Sequence, residues 1–188
     1  WSMIVAEKLG GDPADVDVLH SDTAIAPYGL DTYGSRSLPV GGVAIAQACD
    51  VVIDKARQIA AHQLEAAPED LVYEGGVFKV AGSPGKEMPL AAVAFEAFTA
   101  HNLPDGMEPN LEGHSHYDPP NFSWPFGTHM CAVEVDTETG QVDVLKYVAV
   151  DDCGVQVNPL IVDGQVHGGV VQGLAQALFE EAVYDADG

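Results

Sequence analysis

The feature that most constrains the fold is a long helical pattern of apolar residues between about residues 42 and 64. Apolar positions recur there every third or fourth residue, as at Cys49, Ile53, Ala56 and Ala60. This period is that of one face of an α-helix. Neighbouring apolar residues widen the stripe, so the segment predicts an amphipathic helix with a broad apolar face.

The rest of the chain mixes helical and strand patterns. Further helices are predicted at 1–9, 89–101 and from Pro159 onward. Alternating apolar residues predict strands at 16–22, in hairpins at 71–82 and 129–154, and at 180–188. Two long loops, 23–42 and 102–127, separate these elements, and loops of that length are often functional. Because the first helix has no cap residue and the last strand has no partner, we expect a fragment of a longer polypeptide.

Charge and cysteine content narrow the class of protein. The chain has 29 Asp and Glu against 7 Lys and Arg, a formal net charge of −22. So acidic a surface repels phosphate backbones, and we expect no nucleic-acid partner. No apolar run approaches the roughly 18 residues of a membrane span, so no membrane insertion is predicted. Three widely spaced cysteines predict buried free thiols and a cytoplasmic location.

The segment TYGSRS (32–37) precedes the long helix and contains Arg36, the only Lys or Arg between Lys8 and Lys55. Its glycine allows close approach to the backbone, and a helix N-terminus favours anions. These features suit a phosphate or a polar heterocycle. The alternative is an ordinary polar helix start, with Arg36 paired to one of the many carboxylates.

A second glycine-rich run, GQVHGGVVQGLAQALFEE, begins at Gly164. Glycines disfavour a helix start unless something must come close to the backbone. Gln165 and Gln172 are seven residues apart, so a continuous helix would place both amides on one face. Amides both donate and accept, which suits the edge of a pterin or a purine. Tight helix packing through glycine is the alternative.

The remaining polar clusters favour ordinary surface roles. Four histidines flank the aromatic-rich loop, and their spacing is less regular than that of zinc ligands, so we predict surface histidines: His101, His114, His116 and His129. The acid pairs Asp151-Asp152 and Glu180-Glu181 are predicted to be solvated ends of elements. No nucleophile arrangement can be argued from the spacing.

Four segments together carry a family resemblance: APYGLDTYGSRS, YDPPNFSWPFG, DDCGVQVNP and the run from Gly164. In this order, over nearly all 188 residues, the chain resembles the large subunit of the molybdenum hydroxylase (xanthine dehydrogenase) family. The nearest branch is that of aerobic carbon monoxide dehydrogenase and aldehyde dehydrogenase. The resemblance implies an α+β fold, part of a two-lobed molybdopterin-binding domain with mixed sheets and packed helices. Residues 1–188 would be a fragment of that domain, truncated at both ends, with approximate lobes 1–125 and 126–188.

The resemblance also implies an activity, a cofactor and partners. The whole enzyme would hydroxylate or oxidise a small substrate, namely carbon monoxide, an aldehyde or an N-heterocycle, with water as oxygen source. It would bind molybdopterin, as the cytosine dinucleotide, with molybdenum. An FAD-binding medium subunit and a [2Fe-2S] iron–sulfur small subunit would complete a dimer of heterotrimers. The alternatives are a non-catalytic cofactor-binding or assembly module of the same fold, and an acidic interaction domain with no cofactor.

Site residues follow from the matched motifs. In this family the small-residue loop approaches the pterin and the molybdenum, and Arg36 would bind the anionic end of the cofactor. The loop residues are Gly34, Ser35, Arg36 and Ser37. Gln172 would hydrogen-bond the pterin, with Gln165 and Gly168 in the same run. The catalytic glutamate is expected beyond Gly188, and none of the three cysteines matches the family's copper-binding loop.

Overall fold

The structure is a computed structural model that describes residues 1–26 and 28–188. It consists of two compact units, Trp1–Phe122 and Ser123–Gly188. The predicted lobes are 1–125 and 126–188.

The first unit combines three helices with a small sheet. Helices α1 (Ser2–Leu9), α2 (Val43–Leu64) and α3 (Leu90–Thr99) accompany strands β1 (Leu71–Glu74), β2 (Val77–Val80) and β3 (Glu87–Pro89). The strands pair antiparallel in the order β1-β2-β3. A π-helical turn, Ser37–Gly42, leads directly into α2. Short 3-10 turns stand at Pro13–Asp15 and Pro68–Asp70.

The core of this unit lies where α2 meets the sheet and α3. Helix α2 supplies five of its nine buried residues, four of them from the predicted apolar stripe, and the buried residues of the cluster are Ile53, Ala56, Ile59, Ala60, Ala61, Leu71, Phe78, Val93 and Ala97. Phe78 is fully buried, and its ring centroid lies 4.4 Å from that of Tyr73. Burial of each large side chain stabilises the fold by about 1.5–3 kcal/mol. The helix predicted from the apolar period is therefore confirmed, and so is the side that it buries.

Helix α2 also anchors segments that are remote in sequence. Lys8 of α1 pairs with Asp50 at 2.7 Å. From the loop after α3, Ser115 Oγ donates to Gln47 Oε1 at 2.8 Å, and Lys55 Nζ donates to the carbonyl of Pro109 at 3.3 Å. Through these contacts, α2 holds both α1 and the loop after α3 in place.

The second unit is a two-stranded ribbon followed by a helix. Strands β4 (Phe126–Val135) and β5 (Val142–Asp152) pair antiparallel, with a register shift at Ala132/Val133. Helix α4 (Pro159–Leu178) is capped at its N-terminus by Asn158, whose side-chain oxygen accepts from the N–H of Ile161. No residue from Ser123 to Gly188 is buried. The unit therefore has no internal hydrophobic core of its own.

Most of the predicted elements are confirmed, including both hairpins and the α+β class. Two predicted strands are wrong. Residues 16–22 and 180–188 form no strand, because no other described residue covers one side of either segment. Leu19 is 68% exposed and Tyr184 is 77% exposed. An alternating pattern forms a stable strand only when a partner strand and a core are available to it.

Three further details differ from the sequence predictions. The structure adds β3 and the π-helical turn before α2, which the sequence placed in loops. Both described sheets are antiparallel, where mixed sheets were expected. Cys49 is buried as predicted, but Cys131 and Cys153 are exposed free thiols, since the second unit has no interior.

One helical segment meets the length and composition of a membrane span. Ser37–Leu64, with a mean hydropathy of 1.3 over its most apolar stretch, is long enough to cross a bilayer, although no such run was predicted. This is weak support for a membrane span, since a core helix of a soluble protein meets the same criterion. Here the segment supplies buried core residues of the first unit.

Candidate functional site

The loop at residues 31–37 has an unusual backbone. Asp31, Gly34 and Ser35 have φ angles of 59°, 58° and 56°, in the left-handed region. Arg36 follows with φ −93° and ψ −1°. A left-handed residue next to a right-handed one turns successive main-chain N–H groups towards the same side, which forms a concavity for an anion. The φ angles of Ser35 and Arg36 follow this left-handed, right-handed order.

Side-chain contacts close this loop on itself. Arg36 Nε donates to the main-chain carbonyl of Asp31 at 3.0 Å, and its Nη1 donates to Tyr33 Oη at 3.3 Å. The guanidinium carbon lies 4.0 Å from the centroid of the Tyr33 ring. Thr32 and Ser37 share a hydrogen bond between their hydroxyl groups. None of the ion pairs in the described part of the chain involves Arg36, so the alternative of a carboxylate partner is not what the structure contains.

The second glycine-rich run is helical as predicted, since its residues 164–178 form the larger part of α4. Gln165, Gly168 and Gln172 are exposed on this one continuous helix. Within residues 1–26 and 28–188, neither glutamine amide has a hydrogen-bond partner. A Cβ at Gly168 would meet no described atom within 4 Å. The described residues thus give no support to tight packing through this glycine, and both amides are available to a ligand.

The predicted site residues therefore form two groups. Gly34, Ser35, Arg36 and Ser37 lie together in the loop of the first unit, and Gln165, Gly168 and Gln172 lie along α4 of the second unit. Their assignment to cofactor binding stays a prediction.

A polar cluster on the β4–β5 ribbon was missed at the sequence level. His129 Nδ1 lies 3.0 Å from Tyr147 Oη, and His129 Nε2 lies 3.2 Å from Asp151 Oδ1. A Cβ at Gly127 would collide with the Asp151 carboxylate, so the glycine makes room for this pair. The sequence treated His129 and Asp151 as solvated groups. The signal that could have found them is register, because Gly127 pairs with Asp151 and His129 with Ala149 on one face.

The other predicted polar groups form no metal site. The ring centroids of His114 and His116 lie 4.7 Å apart, but the structure, over the residues it describes, contains no group of three or more metal-ligating side chains.

Two groups of the first unit have shifted pKa values. Burial raises the pKa of the Cys49 thiol, and the positive charge of Lys8 opposes this shift. Burial likewise raises the pKa of Tyr73, whose hydroxyl donates to the carbonyl of Leu9 at 2.9 Å.

The fold agrees with that of one family of cofactor-binding domains. The family model of the molybdopterin cofactor-binding domain matches residues 1–188. The chain belongs to this family, and the resemblance drawn from its motifs is confirmed.

Three individual proteins show how similar the chain is to known relatives. The chain is 46% identical over 188 residues to the carbon monoxide dehydrogenase large chain of Hydrogenophaga pseudoflava, covering all of this chain and 23% of that protein. Its structure matches that of reconstituted carbon monoxide dehydrogenase from Oligotropha carboxidovorans, with a TM-score of 0.92 and 40% identity over 98% of this chain and 23% of that one. Quinoline 2-oxidoreductase from Pseudomonas putida 86 matches with a TM-score of 0.85 and 38% identity, over 98% of this chain and 24% of that one. The chain thus spans about a quarter of the length of these relatives.

Proposed function

We propose that this chain is the cofactor-binding part of the large subunit of a molybdenum-dependent oxidoreductase. The whole subunit would hydroxylate or oxidise a small substrate, with water as the source of oxygen. The observation that carries the proposal is the match of the molybdopterin cofactor-binding family model to residues 1–188.

The donors of the chain fit the cofactor at both ends. The cofactor is anionic at its phosphate end, which suits the N–H groups of Ser35 to Ser37 and the adjacent positive charge of Arg36. The pterin edge carries donors and acceptors, which suit the amides of Gln172 and Gln165. Gly168 allows the ligand to approach the helix backbone closely. When bound, the cofactor supplies the redox centre, and these residues bind and orient it.

No residue of this chain is proposed as the catalytic base. The glutamate that the family uses is expected beyond Gly188, outside the sequence. Glu180 and Glu181 lie after the end of α4, in an exposed segment, and we do not assign that role to them.

The substrate class stays broad. The relatives are named for carbon monoxide and for quinoline, an N-heterocycle, and these names support two of the three proposed substrate classes. The third class, an aldehyde, rests on the motif resemblance alone. We propose the cytosine dinucleotide as the form of the cofactor, and the cytoplasm as the location.

The names of the relatives also support partner subunits. A relative named as a large chain implies smaller chains beside it. We propose an FAD-binding medium subunit and a [2Fe-2S] small subunit, in a dimer of heterotrimers. Exposed aromatic side chains support extensive contacts with other protein surface, since Phe95 and Phe98 of α3 are 64% and 77% exposed.

The test is to purify the complete large subunit with its genetic neighbours from cells that are supplied with molybdate. We expect stoichiometric molybdenum, release of cytidine monophosphate on acid hydrolysis, and oxidation of one substrate from the three classes. Molybdenum with no oxidation of any substrate would favour the alternative of a cofactor-binding or assembly module. Absence of molybdenum from a folded, complete subunit would contradict the proposal.

A further inference from the structure

Arg36 makes its contacts within its own loop. Its Nε and Nη2 both donate to the main-chain carbonyl of Asp31, and its Nη1 donates to Tyr33 Oη. The guanidinium group also stacks over the face of the Tyr33 ring, with 4.0 Å between the guanidinium carbon and the ring centroid. Three of the five N–H donors of the group are therefore used inside the loop.

The backbone that these contacts span is not held by packing. Residues 28–35 are all exposed. Asp31 and Ser35 nevertheless adopt left-handed φ angles of 59° and 56°, which are unfavourable for residues with a Cβ. Two side-chain links close the segment: Arg36 to Asp31, and the hydroxyl of Thr32 to that of Ser37. The conformation of the loop therefore depends on these links.

We propose that Arg36 is a positioning residue, which holds residues 31–37 in the conformation that presents their N–H groups to the anionic end of the cofactor. The proposal rests on the proposed function, because the cofactor gives the loop its purpose. It assigns the effect of Arg36 to its planar shape rather than to its charge alone. A lysine keeps the charge but has neither the two-pronged donor set nor a flat face for Tyr33.

The competing role is that of a direct ligand, in which the guanidinium leaves Tyr33 and pairs with the anion. The two roles make opposite predictions for two substitutions. Arg36→Lys retains the charge, so a direct ligand would be partly preserved while the loop contacts would be lost. Tyr33→Ala leaves Arg36 in place, so only the positioning role would be affected.

The experiment uses the complete subunit with Arg36→Lys, Tyr33→Ala and the matched control Tyr28→Ala. Tyr28 lies in the same loop segment, and its side chain is 79% exposed, compared with 61% for Tyr33. It serves as the control because its ring contacts His116 and not Arg36. The first measurement is amide hydrogen exchange of residues 31–37 in the cofactor-free protein, which reports the loop without the cofactor. The second is the rate of molybdenum loss from the loaded enzyme.

We expect both test variants to increase amide exchange in this loop by about tenfold, the factor that corresponds to the loss of roughly 1.4 kcal/mol. Molybdenum loss should accelerate in the same two variants, and Tyr28→Ala should behave as the wild type in both assays. Amide exchange and molybdenum loss at the wild-type rates in both Arg36→Lys and Tyr33→Ala would overturn the positioning role. Faster exchange with unaltered molybdenum retention in every variant would instead overturn the cofactor assignment of this loop.

Discussion

Replacement of Gln172 by Ala isolates one proposed cofactor contact from the stability of the fold. The Gln172 side chain is exposed on α4, and its amide has no partner within the described residues. Alanine is the best helix former, so the substitution itself favours the helix by a few tenths of a kcal/mol at most. We therefore expect the cofactor-free subunit to keep its melting temperature.

The effect on the cofactor should be large by comparison. A hydrogen bond whose loss leaves a buried partner unsatisfied is worth about 1–3 kcal/mol. That energy corresponds to about a 5- to 150-fold weaker affinity. The assay is molybdenum content per complete subunit after extended dialysis, together with the melting temperature of the cofactor-free form.

Gln141→Ala is the matched control, because Gln141 is an exposed glutamine of the same unit that contacts only its own hairpin. It should retain molybdenum as the wild type does. Full molybdenum retention by Gln172→Ala would show that Gln172 does not bind the cofactor. A loss that is equal in the two variants would point to a general defect of the unit.

Three other predictions test the structure itself. Cys49 should react with a maleimide far more slowly than the two exposed cysteines at pH 7–8, because burial limits access and raises its thiol pKa; equal rates of the three thiols would refute its burial. Phe78→Ala should destabilise the first unit by about 3–5 kcal/mol in chemical denaturation, because it empties the centre of the core; a loss below about 1 kcal/mol would contradict this core. Gly127→Ala should displace Asp151 from His129 and weaken the ribbon, since its Cβ would lie 2.6 Å from the carbonyl oxygen of Val150. Amide exchange across β4 and β5 measures this, and unchanged protection would refute the close approach.

The parts of the fold that depend on local period can be predicted from the sequence. The apolar stripe of α2 is sufficient to identify Ile53, Ala56 and Ala60 as buried, because a helix repeats its contacts over many turns. Both hairpins are predictable for a similar reason, since their turns contain glycines with positive φ, Gly76 and Gly140.

The errors arise where a pattern needs a partner that the local sequence does not reveal. Alternation at residues 16–22 satisfies the rule for a strand, but Leu19 is exposed and no neighbouring strand pairs with the segment. The burial of Cys131 was expected because the three cysteines are too widely spaced to suggest a disulfide framework. It is exposed because its unit has no interior, and this property depends on tertiary contacts.

The candidate site likewise has features that the sequence predicts and contacts that it does not. The places of its residues in a loop and on a helix could be predicted from the sequence, because Gly164 to Leu178 continue a helical apolar pattern and TYGSRS does not. Their roles towards a cofactor rest on the motif resemblance and stay a prediction. The internal contacts of Arg36 could not be predicted, since they depend on the left-handed φ of Asp31 and on the position of the Tyr33 ring. The contact between His129 and Asp151 likewise required the strand register.

The most direct test of the account is an experimental structure of the complete subunit with its cofactor bound. We predict that cofactor phosphate oxygens lie within about 2.7–3.2 Å of main-chain N–H groups of Ser35 to Ser37, and that the Gln172 amide lies at the same distance from the pterin. Arg36 should still stack on Tyr33 in that structure. A cofactor that touches neither the loop at residues 34–37 nor the glutamine face of α4 would contradict the account.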